Sequence, residues 1–260
     1  MLPRVSIIDT ENAKYMVFGG TDPVSTALFK TGSWQPVLMN ITKYFCDGLS
    51  APLVLDIGAN IGAYSIPAAQ YLSGKNGEVV SFEPQRIVYY QLCANIVLNR
   101  LDNLKVFNYV IGEKSETINI PEIDYTDNPN IGAFSLVEEA RKSHGIDGFI
   151  KQETYPVQKM ALDNISFGRT PSIIKIDVEG YELEVLKGGR SFLKNASYPP
   201  ILFEASDQEW FKDTKVELID TFAQMGYVVH PLINDDYIAQ HPRHKRFTKF
   251  QVSKKSIVEE

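Results

Sequence analysis

The chain has 260 residues, a formal net charge of −6 and 44% apolar residues, which is ordinary for a soluble globular protein with a sizeable core. The negative charge makes a general affinity for nucleic-acid phosphates unexpected. The first 30 residues lack a basic-then-apolar signal pattern, and no apolar run approaches the ~18 residues of a membrane span. The sequence therefore predicts a cytoplasmic protein.

Residues 1–50 are predicted to be an N-terminal elaboration of helical or irregular structure. The stretch "GSWQPVLMNITKYFCDGL" within it predicts an amphipathic helix that ends near Gly48. The two cysteines, Cys46 and Cys93, both lie in apolar, periodic surroundings. We interpret them as buried thiols rather than as a disulfide or a pair of metal ligands.

From residue 51 to residue 260, apolar runs typical of strands alternate with helical patterns. This alternation predicts one α/β domain, in which helices cover both faces of a largely parallel sheet. The predicted strands cover residues 53–57, 78–83, 104–110, 172–177, 201–205 and 227–233, with a last extended piece within 237–254. The predicted helices cover residues 62–72, 85–99, 180–188 and 214–225.

Two segments depart from this alternation. Residues 112–170 are long, polar and rich in turn-forming residues, which predicts an insertion that acts as a lid or binding element. Within it, Asn130 and Ser135 either orient a substrate or belong to an ordinary turn. The basic stretch "HPRHKRFTKF", residues 241–250, is interpreted as a solvated face rather than an anion site.

Four of the predicted core strands end in an acidic residue: Asp56, Glu83, Asp177 and Glu204. In open α/β sheets the carboxyl ends of the strands meet at one edge, and ligands bind there. A carboxylate at the edge of the core is costly without a partner. The repeated pattern therefore predicts a ligand site at this edge.

The turn after the first core strand indicates which ligand binds. In "VLDIGANIGAYS", Gly58 and Gly62 allow a sharp turn and a close approach to a ligand, but the middle glycine of the dinucleotide fingerprint is missing. Asp56 would repel a pyrophosphate and attract an amine. S-adenosylmethionine carries an amine, a sulfonium and a ribose diol but no phosphate, so these residues favour it over NAD. The alternative is an ordinary strand–turn–helix connection.

Glu83, followed by Pro84, ends the second core strand. An acidic residue at this position holds the ribose in nucleoside-binding folds, and its two acceptor oxygens match two neighbouring hydroxyls. The alternative is that Glu83 caps the helix that begins near Gln85.

Several motifs together resemble one family: "VLDIGANIGAYS", "VVSFEPQ", "NIGAFSL", "IIKIDVEGYELEVLKGG" and "PPILFEAS", between about residues 34 and 230. On these motifs the chain resembles the FkbM-type S-adenosylmethionine-dependent methyltransferases. The resemblance implies a Rossmann-like class I methyltransferase fold. In that fold seven mostly parallel strands have the order 3-2-1-4-5-7-6, strand 7 is antiparallel, and helices lie on both faces.

The resemblance also implies an activity and a set of cofactor-binding residues. The implied activity is methyl transfer to a hydroxyl of a small-molecule acceptor, such as a sugar or natural product, without a nucleic-acid or membrane partner. The residues implied at the cofactor are Asp56, Gly58, Asn60, Gly62, Glu83, Pro84 and Val110, with Val110 near the adenine. Asp177, beside the glycine turn, is expected to contact the cofactor as well.

A hydroxyl acceptor needs a general base or an acidifying metal. Asp177 is the first candidate base, Glu204 the second and His230 the third, although a lone histidine there is often a core residue. Asp177 and Glu204 could instead hold a divalent cation. Two acids without a histidine or cysteine ligand form a weak site, so no metal site is predicted and turnover is expected to survive chelation.

Two other functions remain open at this stage. A nucleic-acid or protein methyltransferase is one, but the chain has no "DPPY" or "NPPY" motif and no Pro-Cys nucleophile pair. A non-catalytic S-adenosylmethionine-binding module is the other, and it would have no need of the acids at 177 and 204.

Overall fold

The computed structural model describes residues 2–19, 22–126, 130–253 and 256–259. The strands are β1 (Val5–Asp9), β2 (Lys14–Phe18), β3 (Leu53–Ile57), β4 (Glu78–Phe82), β5 (Leu104–Phe107), β6 (Tyr109–Ile111), β7 (Glu116–Ile123), β8 (Ile150–Met160), β9 (Ile173–Ile176), β10 (Ile201–Glu204), β11 (Val228–Pro231), β12 (Asp236–Gln240), β13 (Phe250–Ser253) and β14 (Ser256–Glu259). The helices are α1 (Pro23–Thr31), α2 (Pro36–Cys46), α3 (Ser65–Ser73), α4 (Arg86–Leu98), α5 (Glu138–Ser143), α6 (Glu182–Lys187), α7 (Arg190–Asn195) and α8 (Lys212–Gln224).

Seven strands form the central sheet in the order β11-β12-β10-β9-β3-β4-β5. The neighbours from β10 through β9, β3 and β4 to β5 are parallel, whereas β12 runs antiparallel to both β10 and β11. Numbered along the chain within this sheet, the order is 3-2-1-4-5-7-6. The predicted class I methyltransferase fold is therefore confirmed.

Both faces of the sheet are buried, which explains the continuous apolar runs. All five residues of β3 and all four of β9 are buried. Side chains of consecutive residues point to opposite faces of a strand, and Val54 and Leu55 accordingly belong to different apolar clusters. The acidic residues at the carboxyl ends of these strands are thus carried on the most rigid part of the fold.

The N-terminal elaboration contains one element that the sequence predicted and others that it did not. The predicted helix is present as α2, whereas the antiparallel β1–β2 hairpin and α1 were not foreseen. Two asparagine side chains bind the backbone of β2: Oδ1 of Asn95, in α4, accepts from the N–H of Met16 (2.5 Å), and Oδ1 of Asn99, directly after α4, accepts from that of Lys14 (2.9 Å). These polar contacts fix the hairpin against the central domain.

The predicted strand 104–110 is wrong, because β5 and β6 belong to different sheets. Asn108, between them, donates from Nδ2 to the carbonyl oxygens of Glu83 (2.8 Å) and Pro84 (2.9 Å), and the chain leaves the central sheet there. β6 instead pairs with β8, which is antiparallel to β7. The insertion predicted at 112–170 thus includes a small sheet of its own.

Three smaller predictions also need correction. Cys46 is buried as expected, but Cys93 is partly exposed. The predicted helix 180–188 is the shorter α6, and α7 follows it after Gly188, where a Cβ would lie 2.0 Å from the carbonyl oxygen of Gly112. The basic stretch 241–250 is not simply solvated, since Arg246 donates to two carbonyl oxygens at the end of α2.

Within the described residues, no helix combines the length and the apolar character that crossing a membrane requires.

Candidate active site

A cavity of about 230 Å³ lies at the carboxyl ends of β3, β4, β9 and β10. Its wall includes the glycine turn after β3, the residues that follow β4 and the acidic residues after β9 and at the end of β10. It also takes residues from the N-terminal elaboration and from the insertion. The sequence predicted a ligand site at this edge of the sheet, and the cavity is located there.

The glycine turn approaches the neighbouring strand too closely for a side chain. Gly58 has a φ of +86°, and a Cβ on it would lie 1.8 Å from the carbonyl oxygen of Asp177. Gly62 has a φ of +90°, and its Cβ would lie 2.6 Å from Cδ1 of Leu92. Asn60, between them, also has a positive φ, of +50°. The two glycines are therefore required by packing and backbone conformation together.

Glu83 connects the end of β4 to this turn. Its Oε2 accepts from the backbone N–H of Asn60 (2.9 Å), and its Oε1 accepts from that of Gln85 (2.8 Å). Burial raises the pKa of Glu83 to about 7, against the effect of these two hydrogen bonds. Each oxygen retains a further lone pair, and Glu83 lines the cavity with Pro84. The carboxylate can thus receive two adjacent hydroxyls, and it also binds the backbone ahead of the helix, as the alternative interpretation expected.

Asp56 does not line the cavity, which corrects the expectation that it faces the ligand. Its side chain is fully buried beneath the turn, where it accepts a hydrogen bond from the Ser65 hydroxyl. Burial raises the pKa of Asp56, and Lys175 opposes that shift from 3.5 Å. Consecutive side chains at the end of a buried strand point to opposite faces of the sheet. The sequence alone does not show which of these side chains faces the ligand and which points into the core.

Lys175 is the buried cation that balances this carboxylate. Its Nζ lies 3.0 Å from Oδ2 of Asp177 and 5.4 Å from the ring centroid of Tyr64. Only 3% of the residue is exposed, and its two carboxylate neighbours raise its pKa despite the opposing effect of burial. Lys175 therefore joins the buried Asp56 to the cavity-lining Asp177.

Asp177 and Glu204 lie together in the cavity wall and are hydrogen-bonded to each other. Burial opposes ionisation of Asp177, but the charge of Lys175 and the hydrogen bond from Glu204 keep its pKa below the usual value. Burial, and then the negative charge of Asp177, raise the pKa of Glu204 to about 11. At neutral pH the pair therefore holds one proton, with Asp177 ionised and Glu204 donating to it.

Two further acids follow β9. Glu179 lines the cavity, and burial and the charge of Asp177 raise its pKa to about 8. Glu182 accepts hydrogen bonds from the N–H groups of Val178 (3.0 Å) and Gly180 (3.3 Å), so it binds the turn that precedes its helix. Glu182 is therefore a partner of the helix start, where acidic residues are commonly found, whereas the sequence analysis gave Glu179 no role.

His230 does not line the cavity, so the structure does not support it as a base. It lies on β11, at the edge of the sheet, and β12 separates β11 from β10. Neighbouring strands are about 4.8 Å apart, so two steps place β11 about 10 Å from the strand that carries Glu204. The strand order implied by the resemblance already has this antiparallel strand between the two, and it separates His230 from the cavity.

A family model described as the methyltransferase FkbM domain matches residues 56–229, which include the glycine turn and all four acids after β9 and at the end of β10. The chain belongs to the FkbM methyltransferase family. S-adenosylmethionine is accordingly the cofactor of this domain, and the resemblance seen in the motifs is confirmed.

The individual proteins that resemble this chain have sequence identities of 30% or less. The methyltransferase sdnD of Sordaria araneosa is 30% identical over 172 residues, which cover 54% of this chain and 61% of that protein, so the match spans less than two thirds of its length. A solved structure of the methyltransferase FkbM from Methylobacillus flagellatus KT has 19% identity and a TM-score of 0.47, covering 85% of this chain and 48% of the other. A methyltransferase structure from Agrobacterium tumefaciens has 12% identity and a TM-score of 0.49, covering 93% and 71%.

The rest of the cavity wall in this FkbM domain combines residues that the sequence analysis singled out, Val110 and Asn130, with others to which it gave no role. Val110 lines the cavity, as do Trp34 and Gln35 from the elaboration and Phe134 from the insertion. Asn130 lines it too. The Ser135 hydroxyl instead accepts from the N–H of Val137 (2.9 Å), which fits the ordinary-turn alternative. Carboxylates therefore face aromatic and apolar groups across the cavity.

The insertion closes directly on the glycine turn. A Cβ on Gly132 would lie 2.0 Å from Nδ2 of Asn60, whose Oδ1 accepts from the N–H of Ile61 (2.7 Å). We expect Gly132→Ala to push the Asn60 side chain out of place at a cost of about 1–3 kcal/mol, the usual cost of overpacking. Calorimetry should detect this as weaker S-adenosylmethionine binding, and chemical denaturation as lower stability.

A matched control for this change is Gly148→Ala, also in the insertion, because a Cβ there would have no neighbour within 4 Å. In an Asn60→Gly background the effect of Gly132→Ala should disappear, since the colliding side chain is gone. An equal effect in both backgrounds would show that Gly132 does not act through Asn60.

Proposed function

We propose that the protein transfers a methyl group from S-adenosylmethionine to a hydroxyl of a small molecule, such as a sugar or another natural product. The observation that carries the proposal is the Asp177–Glu204 pair, which lies in the cavity wall directly beside the glycine turn. An ionised carboxylate at this position suits an acceptor that must lose a proton.

The residues of the cavity fit the cofactor. Gly58 lines the cavity within the turn, and the unused acceptor sites of Glu83 suit a ribose diol. Val110 and Pro84 also line the cavity, which is consistent with a place for Val110 beside the adenine. The cofactor supplies an electrophilic methyl group on a sulfonium.

The protein's own residues handle the proton. We infer that Asp177 accepts the proton of the acceptor hydroxyl while the new carbon–oxygen bond forms, so that the products are a methyl ether and S-adenosylhomocysteine. Lys175, at 3.0 Å, keeps Asp177 ionised beforehand, and Glu204 is the hydrogen-bond donor that holds its orientation. The cavity otherwise serves to align the acceptor and exclude water.

The walls of the cavity favour a small organic acceptor. Trp34, Phe134 and Tyr181 present aromatic surfaces, and such surfaces with a few polar groups are typical of small-molecule sites. The negative charge of Asp177 in the cavity wall would repel the phosphates of a nucleic acid. Nothing in the described residues favours a protein acceptor over a small one.

The test is formation of S-adenosylhomocysteine with a panel of hydroxylated acceptors, alongside RNA and DNA at moderate salt. The proposal expects turnover with at least one sugar or polyhydroxylated compound and a methyl ether by mass spectrometry. Turnover on nucleic acid alone, or a product methylated on nitrogen or carbon, would contradict it. Cofactor binding without turnover on any acceptor would favour the non-catalytic module.

Cofactor affinity gives a direct prediction for Glu83. Glu83→Ala removes a charge-assisted contact of about 1.5–3 kcal/mol, so calorimetry should show S-adenosylmethionine binding weakened about 10- to 100-fold. NAD should not bind to the native protein. Because Glu83 also binds the N–H groups of Asn60 and Gln85, Glu83→Gln provides a variant that preserves the size of the side chain.

The matched control is Glu78→Gln, at the opposite end of the same strand. Glu78 pairs with Lys105 and Arg169 rather than lining the cavity, so its replacement should leave cofactor affinity unchanged. Equal affinities for all variants, or measurable binding of NAD, would contradict the assignment of Glu83 to the ribose.

A further inference from the structure

A second, smaller pocket of about 60 Å³ adjoins the cavity on the side of α6. Three glutamates line it, Glu179, Glu182 and Glu204, and two of them, Glu179 and Glu204, also line the larger cavity. One carboxylate oxygen each of Asp177, Glu179 and Glu204 lies within 4.8 Å of the others. Several carboxylates therefore lie close together where the second pocket adjoins the cavity.

Glu182 gives an independent indication that a ligand belongs here. It is only 2% exposed, and Oε1 accepts from the N–H groups of Val178 and Gly180. Its other oxygen, Oε2, has no hydrogen-bond partner within the described part of the chain. A buried carboxylate oxygen without a donor or cation is costly, so its position in the pocket wall points to a positively charged ligand.

Few positively charged side chains lie near the four acids Asp177, Glu179, Glu182 and Glu204. Lys175 pairs with one acid of the cluster, Asp177, and its charge is shared with the buried Asp56. His144 approaches Glu179, with Nδ1 at 3.7 Å from Oε2. One shared lysine and one histidine face four acids, so without a further cation the cluster balances its charge by holding protons, such as the proton on Glu204.

We propose that Asp177, Glu179 and Glu204 bind one hard divalent cation such as Mg²⁺, Mn²⁺ or Ca²⁺, with Glu182 in the wall of the adjoining pocket. Such cations take carboxylate oxygens as ligands. A pocket of about 60 Å³ has room for an ion together with water.

This proposal differs from the expectation that two acids alone form a weak site, because the structure adds Glu179 to them as a third close carboxylate. It deepens the proposed function, since Glu179 and Glu204 also line the cavity and place the cation within reach of an acceptor oxygen. A cation there can orient and acidify a hydroxyl. Its binding nevertheless requires neither the cofactor nor an acceptor, so it can be measured separately.

The experiment titrates the metal-free full chain with MnCl₂, without cofactor or acceptor, and follows free Mn²⁺ by electron paramagnetic resonance. We expect one bound Mn²⁺ per chain and displacement of it by Mg²⁺ or Ca²⁺. Glu179→Gln and Glu204→Gln should each weaken binding at least about 10-fold. Both variants preserve the size of the side chain and are expected to fold, which thermal unfolding checks. Glu217→Gln, on the exposed face of α8, is the matched control and should bind as the native protein does.

The absence of Mn²⁺ binding at ~1 mM, the weak end of protein cation sites, would overturn the proposal. Equal affinity in Glu204→Gln and the native protein would overturn it as well. Displacement of Mn²⁺ by choline but not by Mg²⁺ would assign the cluster to an organic cation instead. The proposed methyl transfer is tested separately by S-adenosylhomocysteine formation in EDTA and in Mg²⁺, so either proposal can fail without the other.

Discussion

Asp177→Asn is expected to lower turnover at least about 100-fold, because a positioned general base typically contributes ~10²–10⁴ in rate. The change preserves the shape of the side chain and removes its charge. A carboxylate with a pKa below its usual value is a weak base for an alcohol. It can still accept the proton late, when bond formation to the methyl carbon has already made the acceptor oxygen acidic. S-adenosylmethionine affinity should stay within a few-fold of the native value.

The controls separate three roles that Asp177 could have. Asp207→Asn is a matched change in the exposed loop after β10, where Asp207 pairs with Lys215, and it should leave turnover unchanged. If cofactor affinity collapses in Asp177→Asn, the residue belongs to the cofactor site. If rising Mg²⁺ restores turnover, it acts as a cation ligand. If turnover is unaffected, Glu204 becomes the candidate base.

The central sheet could be predicted because its strands satisfy a local rule. β3 and β9 are buried on both faces, so their sequences are continuous apolar runs that need no knowledge of the neighbours. The break between β5 and β6 could not be predicted in this way. It depends on hydrogen bonds from Asn108 to carbonyl oxygens of Glu83 and Pro84, which are some two dozen residues earlier.

The acidic residues of the site likewise include some whose position follows from the local sequence and one whose direction depends on distant contacts. Glu83, Asp177 and Glu204 could be placed at one edge because the ends of parallel strands meet there, and all three line the cavity. The direction of the Asp56 side chain depends on the strand alternation and on Lys175, a partner on another strand. Trp34 reaches the cavity through the packing of the N-terminal elaboration, for which no motif in the sequence provides a signal.

The removal of Lys175 should have the largest effect on stability. We expect Lys175→Met to lower the free energy of unfolding by about 3–5 kcal/mol, the usual cost of leaving a buried charge without its partner. The reason is that Asp56, fully buried, would retain only the Ser65 hydroxyl as a hydrogen-bond donor. Urea-induced unfolding followed by circular dichroism measures the change.

Two further variants test whether the loss comes from the buried charge. Lys105→Met, on the exposed side of β5, removes a surface ion pair with Glu78 and should cost no more than about 1 kcal/mol. Asp56→Asn combined with Lys175→Met should recover part of the stability, because the uncompensated carboxylate is then neutral. If the double variant is no more stable than Lys175→Met alone, the loss comes from the packing of the lysine stem. In that case Lys175 would not be the link between the core carboxylate and the candidate base.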